Sequence, residues 1–213
     1  MSAHTRLHRG IYLITEHERL RFSELLARTE AVITAGLSAL QYRNKQADHK
    51  QSLAEASLLQ QLCNDYEVPF VINDDIDLAL ELGAAGVHLG REDGNAKEAR
   101  QRAGENMLIG ISCYNDLDRA DQAVRDGADY IAFGAVFPTT SKANTVSAST
   151  DLIRQAKQRY TVPIVAIGGI TPENCGSVIA AGADLLAVIS SVYLANNPYH
   201  ALETFNQLMA KQT

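Results

Sequence analysis

Eight short apolar, β-branched runs alternate with longer amphipathic segments along 213 residues, with no Pro/Gly/Ser-rich linker and no low-complexity stretch between them. That alternation, length and continuity predict an α/β fold, a single-domain (β/α)8 TIM barrel spanning residues 1–213. Alternation alone also admits an open doubly wound sheet; eight units in one uninterrupted chain favour closure.

The strands are expected at residues 11–15, 38–43, 69–73, 86–89, 108–112, 130–134, 164–167 and 185–189. Most are continuous apolar runs, the pattern of parallel strands buried on both faces. Helices are expected between them, as at 52–66, where Leu53, Leu58, Leu59 and Leu62 recur at helical spacing, and at 151–159. Thr171 is expected to cap a helix whose first turn holds Pro172 and Glu173. The stretches ELGAAGVHL, RDGADYIAF and AAGADLLAV echo one another: a helix end, a glycine suited to left-handed backbone, then a buried strand.

Composition narrows the function. Hydrophobic residues make up 46% and charged residues 21%, the balance of a globular protein with a substantial core. A net charge of -6 argues against a nucleic-acid partner, yet leaves room for a local basic grip on an anionic substrate. The opening MSAHTRLHRGIYLIT lacks a signal-peptide core, and no later run approaches a membrane span. Cys63, Cys113 and Cys175 are odd in number and lack CxxC spacing, which points away from disulfides and zinc and towards a reduced, cytoplasmic protein. Oligomeric state stays open, a homo-oligomer included.

In a barrel of this kind the chemistry sits where strands end and loops begin. After the second strand stands Gln41-Tyr42-Arg43-Asn44-Lys45, and alternation puts Gln41, Arg43 and Lys45 on one side. Two cations and an amide form a diphosphate-sized grip; a solvated basic loop is the alternative. After the third strand comes Asn73-Asp74-Asp75, and after the fourth Gly90-Arg91-Glu92-Asp93. Carboxylates on adjacent loops suit Mg²⁺, with Asp74 as ligand and Asp75 as the cap of the next helix; both acting as caps is the alternative. His88 is expected in the barrel wall or its packing layer, without a chemical role.

The fifth strand ends in Ser112-Cys113-Tyr114, where no neighbouring histidine activates the thiol. Thr139-Thr140-Ser141-Lys142 follow the sixth strand and can wrap a phosphate with hydroxyls, backbone N–H groups and a cation. Gly168-Gly169 after the seventh strand and Ile189-Ser190-Ser191 after the eighth occupy the recurrent phosphate-binding place of such barrels.

Taken in order, these loops resemble the thiamine-phosphate synthase family, and the likeness runs from IYLIT to ISSVY. Gln41, Arg43 and Lys45 match a Gln-x-Arg-x-Lys stretch. Residues 72–74, 86–90 and 92–93 match Ile-Asn-Asp, Gly-Val-His-Leu-Gly and Glu-Asp. Residues 110–112, 133–142 and 166–174 carry the remaining three motifs.

The resemblance implies a two-substrate transferase: a hydroxymethylpyrimidine diphosphate loses pyrophosphate, and the nitrogen of a thiazole phosphate takes its methylene. It implies that Gln41, Arg43, Lys45, Asn73, Ser112 and Lys142 hold the pyrimidine diphosphate, and that Arg43, Lys45, Lys142 and Ser112 serve the chemistry. Asp74 and Asp93 would bind Mg²⁺, and Thr139, Thr140, Ser141, Gly169, Ile189 and Ser190 the thiazole phosphate. The chain departs from the family pattern at Arg91, Ser141 and Cys113-Tyr114. Two rival readings remain: a related thiazole tautomerase, which uses a histidine where Tyr114 stands, and a non-catalytic phosphate-ligand sensor.

Overall fold

Successive side chains of a strand face opposite ways, and the first strand shows what this does here: Ile11 and Leu13 enter one apolar cluster, Tyr12 and Ile14 another. The computed structural model describes residues 7–138 and 148–211. In it β1 (Gly10–Ile14), β2 (Ala39–Tyr42), β3 (Phe70–Asn73), β4 (Gly86–Leu89), β5 (Leu108–Tyr114), β6 (Tyr130–Gly134), β7 (Ile164–Ile167) and β8 (Leu185–Val188) pair in parallel and in sequence order, and β8 returns to β1 to close the barrel. The expected strands are all present, three with the expected bounds and the rest with ends differing by one or two residues.

Outside the barrel lie α1 (Phe22–Ile33), α2 (His49–Asp65), α3 (Ile76–Leu82), α4 (Ala96–Ala103), α5 (Leu117–Arg125), α6 (Thr150–Arg159), α7 (Cys175–Ala180), the short α8 (Ser190–Tyr193) and α9 (Pro198–Ala210). The outward strand residues and the helices share the large core, which includes Leu40, Phe70, Val87, Ile131 and Leu186. The smaller cluster, with Tyr12, Val71, Tyr130, Val165 and Leu185, fills the inside of the barrel. Strands buried on both faces explain the apolar runs in the sequence.

Helix α2 starts earlier than its leucine spacing suggested, because the Asp48 carboxylate accepts the Gln51 N–H at 2.8 Å and caps it. The Asp75 side chain caps α3 through the Leu78 N–H, as expected. The expectation for Thr171 needs correction. Helix α7 begins at Cys175; Pro172 and Glu173 lie in a preceding turn, where the Asn174 side chain accepts the Thr171 N–H at 2.8 Å. The carbonyl of Thr171 takes the Cys175 N–H, and the residue that precedes the helix is Asn174.

The sequence echo has a structural counterpart. Gly127 and Gly182 have φ of 91° and 101°, and each precedes an Ala-Asp pair. Asp129 accepts the Ile109 N–H at the start of β5, and Asp184 accepts the Ile164 N–H of β7. Arg100 of α4 and Lys157 of α6 complete the two pairs. The same device ties neighbouring units together at the end of the barrel remote from the loops that carry the chemistry.

Candidate active site

At the carboxyl end of the strands the barrel opens into a cavity of about 340 Å³. Apolar inward residues, among them Ile14, Val165, Ile167 and Ala187, form much of its wall. Its floor is polar and continuous. Gln41 Nε2 donates to the Tyr12 hydroxyl (3.0 Å), which lies 2.8 Å from the Tyr130 hydroxyl. Tyr130 meets His88 Nδ1 at 3.2 Å, and His88 Nε2 meets Ser112 Oγ at 2.9 Å. Five side chains from β1, β2, β4, β5 and β6 thus share one hydrogen-bonded chain.

This arrangement needs Gly110. A Cβ there would come within 2.0 Å of the Tyr130 ring, so the bare backbone of β5 makes the space that the ring occupies. Burial raises both phenols, Tyr12 and Tyr130, above the ordinary tyrosine value, so both remain protonated and able to donate. Apolar walls over a polar floor suit a flat heteroaromatic ring with polar substituents.

The charged groups ring the β2–β4 side of the mouth. Arg43 lines the cavity, while Lys45 Nζ lies 3.0 Å from Asp74 Oδ2. Asp74 has φ of 66°, a left-handed geometry that Asp tolerates, inside a tight turn closed by the Asp75 N–H on the Asn73 carbonyl. Asp93 Oδ2 accepts the Gly90 N–H at 2.9 Å. Its carboxyl is raised above the ordinary value, first by burial and then by the hydrogen bond and charge of Asp74; the Gly90 N–H and Lys45 oppose the shift.

The Asp74 and Asp93 side chains therefore stand within hydrogen-bonding reach of each other. Among the described residues no third His, Cys, Asp or Glu joins them in a metal-holding group, so Glu92 stays outside. A pair of oxygen ligands open to substrate fits Mg²⁺, which typically takes one or two carboxylates and fills its shell with water and phosphate oxygens.

Across the mouth, Gly169, Ile189 and Ser190 line the cavity between β7 and β8. Gly169 has φ of 63°, and a Cβ there would stand 2.5 Å from the Pro138 carbonyl oxygen. The Phe137 N–H donates to the Gly168 carbonyl at 3.0 Å and holds the two loops together. Asn73 and Ser112 line the same cavity. Thr139, Thr140, Ser141 and Lys142 lie outside the described residues.

His88 is buried inside the barrel, as expected, and it also lines the cavity, bonded to Tyr130 and Ser112. Tyr12 and Tyr130 were not singled out from sequence at all. The available signal was a phenol at an inward position of an otherwise aliphatic strand, since a buried hydroxyl requires a partner. Cys113 faces the outer core with its thiol pushed up to about 12 by burial, in keeping with the absence of a nucleophilic role.

A closed barrel whose mouth carries cations, a carboxylate pair and a glycine-lined backbone is built as a small-molecule enzyme is. The family model described as thiamine monophosphate synthase matches residues 11–192. A thiamine-phosphate synthase of Azoarcus sp. is 46% identical over 202 residues, covering 95% of this chain and 98% of that protein. One from Xylella fastidiosa is 46% identical over 197 residues, covering 92% of this chain and 83% of its own. The solved thiamine phosphate pyrophosphorylase of Pyrococcus furiosus superposes with a TM-score of 0.84 at 32% identity, covering 95% of this chain and 96% of that one. The chain belongs to the thiamine monophosphate synthase family, and it is a transferase of thiamine biosynthesis.

Proposed function

We propose that this chain joins a hydroxymethylpyrimidine diphosphate to a hydroxyethylthiazole phosphate, releasing pyrophosphate, with residues 1–213 acting as one catalytic domain. The observation that carries this reading is the division of the rim. Arg43, Lys45 and the Asp74–Asp93 pair stand on one side of the cavity, and the half-buried backbone of Gly169 with Ser190 stands on the other. One diphosphate and one monophosphate would have separate seats around a shared ring pocket.

In this reading Gln41, Asn73 and Ser112 orient the pyrimidine over the polar floor. Arg43, Lys45 and Lys142 meet the diphosphate, and Asp74 with Asp93 holds Mg²⁺. The metal supplies charge neutralisation on the leaving group. Breaking the carbon–oxygen bond builds negative charge there, and the cations of this chain stabilise it. An electron-rich aminopyrimidine carries the complementary positive charge at its methylene, so no protein nucleophile is required. The thiazole phosphate would sit against Gly169, Ile189 and Ser190, with Thr139, Thr140 and Ser141 completing its pocket. Tyr114 stands where the tautomerase reading needs a histidine, and its hydroxyl is engaged by the Arg91 N–H at 3.2 Å.

The substrates are small, water-soluble phosphates, which supports a cytoplasmic enzyme without nucleic-acid or membrane partners. No helix among the described residues is long and apolar enough to cross a membrane. The test is direct: pyrophosphate is expected only when both substrates and Mg²⁺ are present together. Release with either substrate omitted, or none with all three, would refute the reading.

A further inference from the structure

Asn44 stands between the two cations of the β2–α2 loop, and its side chain turns away from them into the protein. Its Nδ2 donates one hydrogen to Glu55 Oε2 (3.1 Å) and directs the other to His17 Nδ1 (3.2 Å), while Oδ1 accepts the Gln46 N–H at 3.1 Å. Both amide hydrogens and the amide oxygen are engaged.

Glu55, on α2, is the hub beneath it. Its side chain is only 9% exposed, and it also accepts from the Tyr42 hydroxyl (2.8 Å) and from Gln51 Nε2 (2.9 Å). Burial by itself would raise this carboxyl, but hydrogen bonds from Gln51, Asn44 and Tyr42 outweigh it, and it stays ionised below the usual value. His17 is held in turn, parallel to the Phe22 ring and edge-on to Tyr42. Thr15 fastens the neighbouring backbone, accepting the Arg43 N–H at 2.9 Å and donating to the Arg43 carbonyl at 3.4 Å.

Packing alone does not call for such a group. A buried carboxylate costs free energy unless donors surround it, and an apolar side chain would fill the space without that cost. What the carboxylate adds is a fixed direction for Asn44. With Asn44 pulled down and Thr15 clamping the backbone, the residues on either side are turned to the mouth, where Arg43 lines the cavity and Lys45 meets Asp74. We infer that Asn44, anchored by Glu55 and His17, is a positioning residue that aims Arg43 and Lys45 at the diphosphate of the substrate. The inference rests on the function proposed above and deepens it. A displacement of ~1 Å at a positioning group can cost about a hundredfold in rate.

The test compares Asn44→Ala, Glu55→Ala, Glu55→Gln and Thr29→Val in the full chain with Mg²⁺, reading kcat, both KM values and the melting temperature. Thr29→Val is the control for destabilisation alone, since it removes the buried bond between Thr29 Oγ1 and the Tyr193 hydroxyl (2.7 Å), outside the loop network. Asn44→Ala and Glu55→Ala are expected to raise the pyrimidine diphosphate KM about tenfold or more and lower kcat, with the thiazole phosphate KM within about twofold. Glu55→Gln is expected to stay near wild type, because its carbonyl can accept from Asn44 and Tyr42 while its amide turns to a flipped Gln51.

The inference is overturned if the alanine variants only lose melting temperature, as Thr29→Val should. It is equally overturned if both KM values rise together, or if Glu55→Gln behaves as Glu55→Ala. Should Glu55→Ala fail to fold, Asn44→Ala, half-buried in a loop, decides alone. Calorimetric binding of inorganic pyrophosphate with Mg²⁺ repeats the comparison without turnover. An inactive wild type whose pyrophosphate binding is still weakened by Asn44→Ala would refute the proposed reaction and leave the positioning role standing; equal binding by both proteins would overturn that role.

Discussion

Lys45 Nζ lies 3.0 Å from Asp74 Oδ2, so a cation and a carboxylate from adjacent loops hold each other at the mouth of the barrel. Each is the kind of group that a Mg²⁺-diphosphate would separate: the ammonium would turn to a phosphate oxygen and the carboxylate to the metal. In the proposed function the pair would hold both side chains near the diphosphate and its metal.

Removing either acidic partner should therefore change the metal dependence and leave the fold intact. Asp74→Asn and Asp93→Asn are each expected to raise the Mg²⁺ concentration for half-maximal rate and to lower the maximal rate. Initial rates across a Mg²⁺ titration measure this, with circular dichroism to confirm folding. Titrations matching wild type in both variants would show that these carboxylates are only structural.

The two sides of the rim should fail separately. Arg43→Ala or Lys45→Ala removes a charge-assisted contact worth ~1.5–3 kcal/mol, hence about ten- to a hundredfold in kcat/KM for the pyrimidine diphosphate. Gly169→Val should instead impair the thiazole phosphate, because the new side chain meets the Pro138 carbonyl and the backbone geometry at φ 63° resists it. Steady-state kinetics with each substrate varied in turn separates the two effects. Equal losses for both substrates in every variant would contradict separate seats.

Gly110→Ala should damage the floor of the cavity from below. The added methyl falls within 2.0 Å of the Tyr130 ring, and overpacking of this kind costs typically ~1–3 kcal/mol. A lower denaturation midpoint and a higher pyrimidine diphosphate KM are expected together. Tyr130→Phe gives the complementary result: it keeps the ring, breaks the link between Tyr12 and His88, and should raise that KM with little loss of stability. An unchanged KM in both variants would remove the floor from substrate binding.

Bond order in the reaction is also open to measurement. In the proposed reaction the thiazole nitrogen, rather than a protein group, takes the methylene, which should gain positive charge before that bond forms. Replacing the pyrimidine methyl by an electron-withdrawing group should slow single-turnover chemistry by several orders of magnitude, about tenfold for each ~1.4 kcal/mol added to the barrier. A rate within a few-fold of the natural substrate would point to direct attack.

Local rules made much of this protein legible in advance. The strands were readable because parallel strands covered on both faces must be apolar almost throughout. The cap at Asp75 was readable because a carboxylate ahead of an apolar periodic run satisfies free N–H groups. Gln41, Arg43, Asp74 and Asp93 were readable because polar residues at strand ends fall on one rim of a barrel, whatever the details of its packing.

What only tertiary structure decided were relationships across the barrel. His88 and Tyr130 are 42 residues apart, yet they meet in one hydrogen-bonded chain because parallel pairing sets β4, β5 and β6 side by side. Gly110 carries no sign in the sequence that its missing side chain makes room for a ring on the next strand. The anchoring of Asn44 by Glu55, 11 residues later on α2, depends on how that helix packs beneath its own loop. Alternation and composition act through near neighbours, whereas these contacts arise from distances set only when strands pair and helices pack on them.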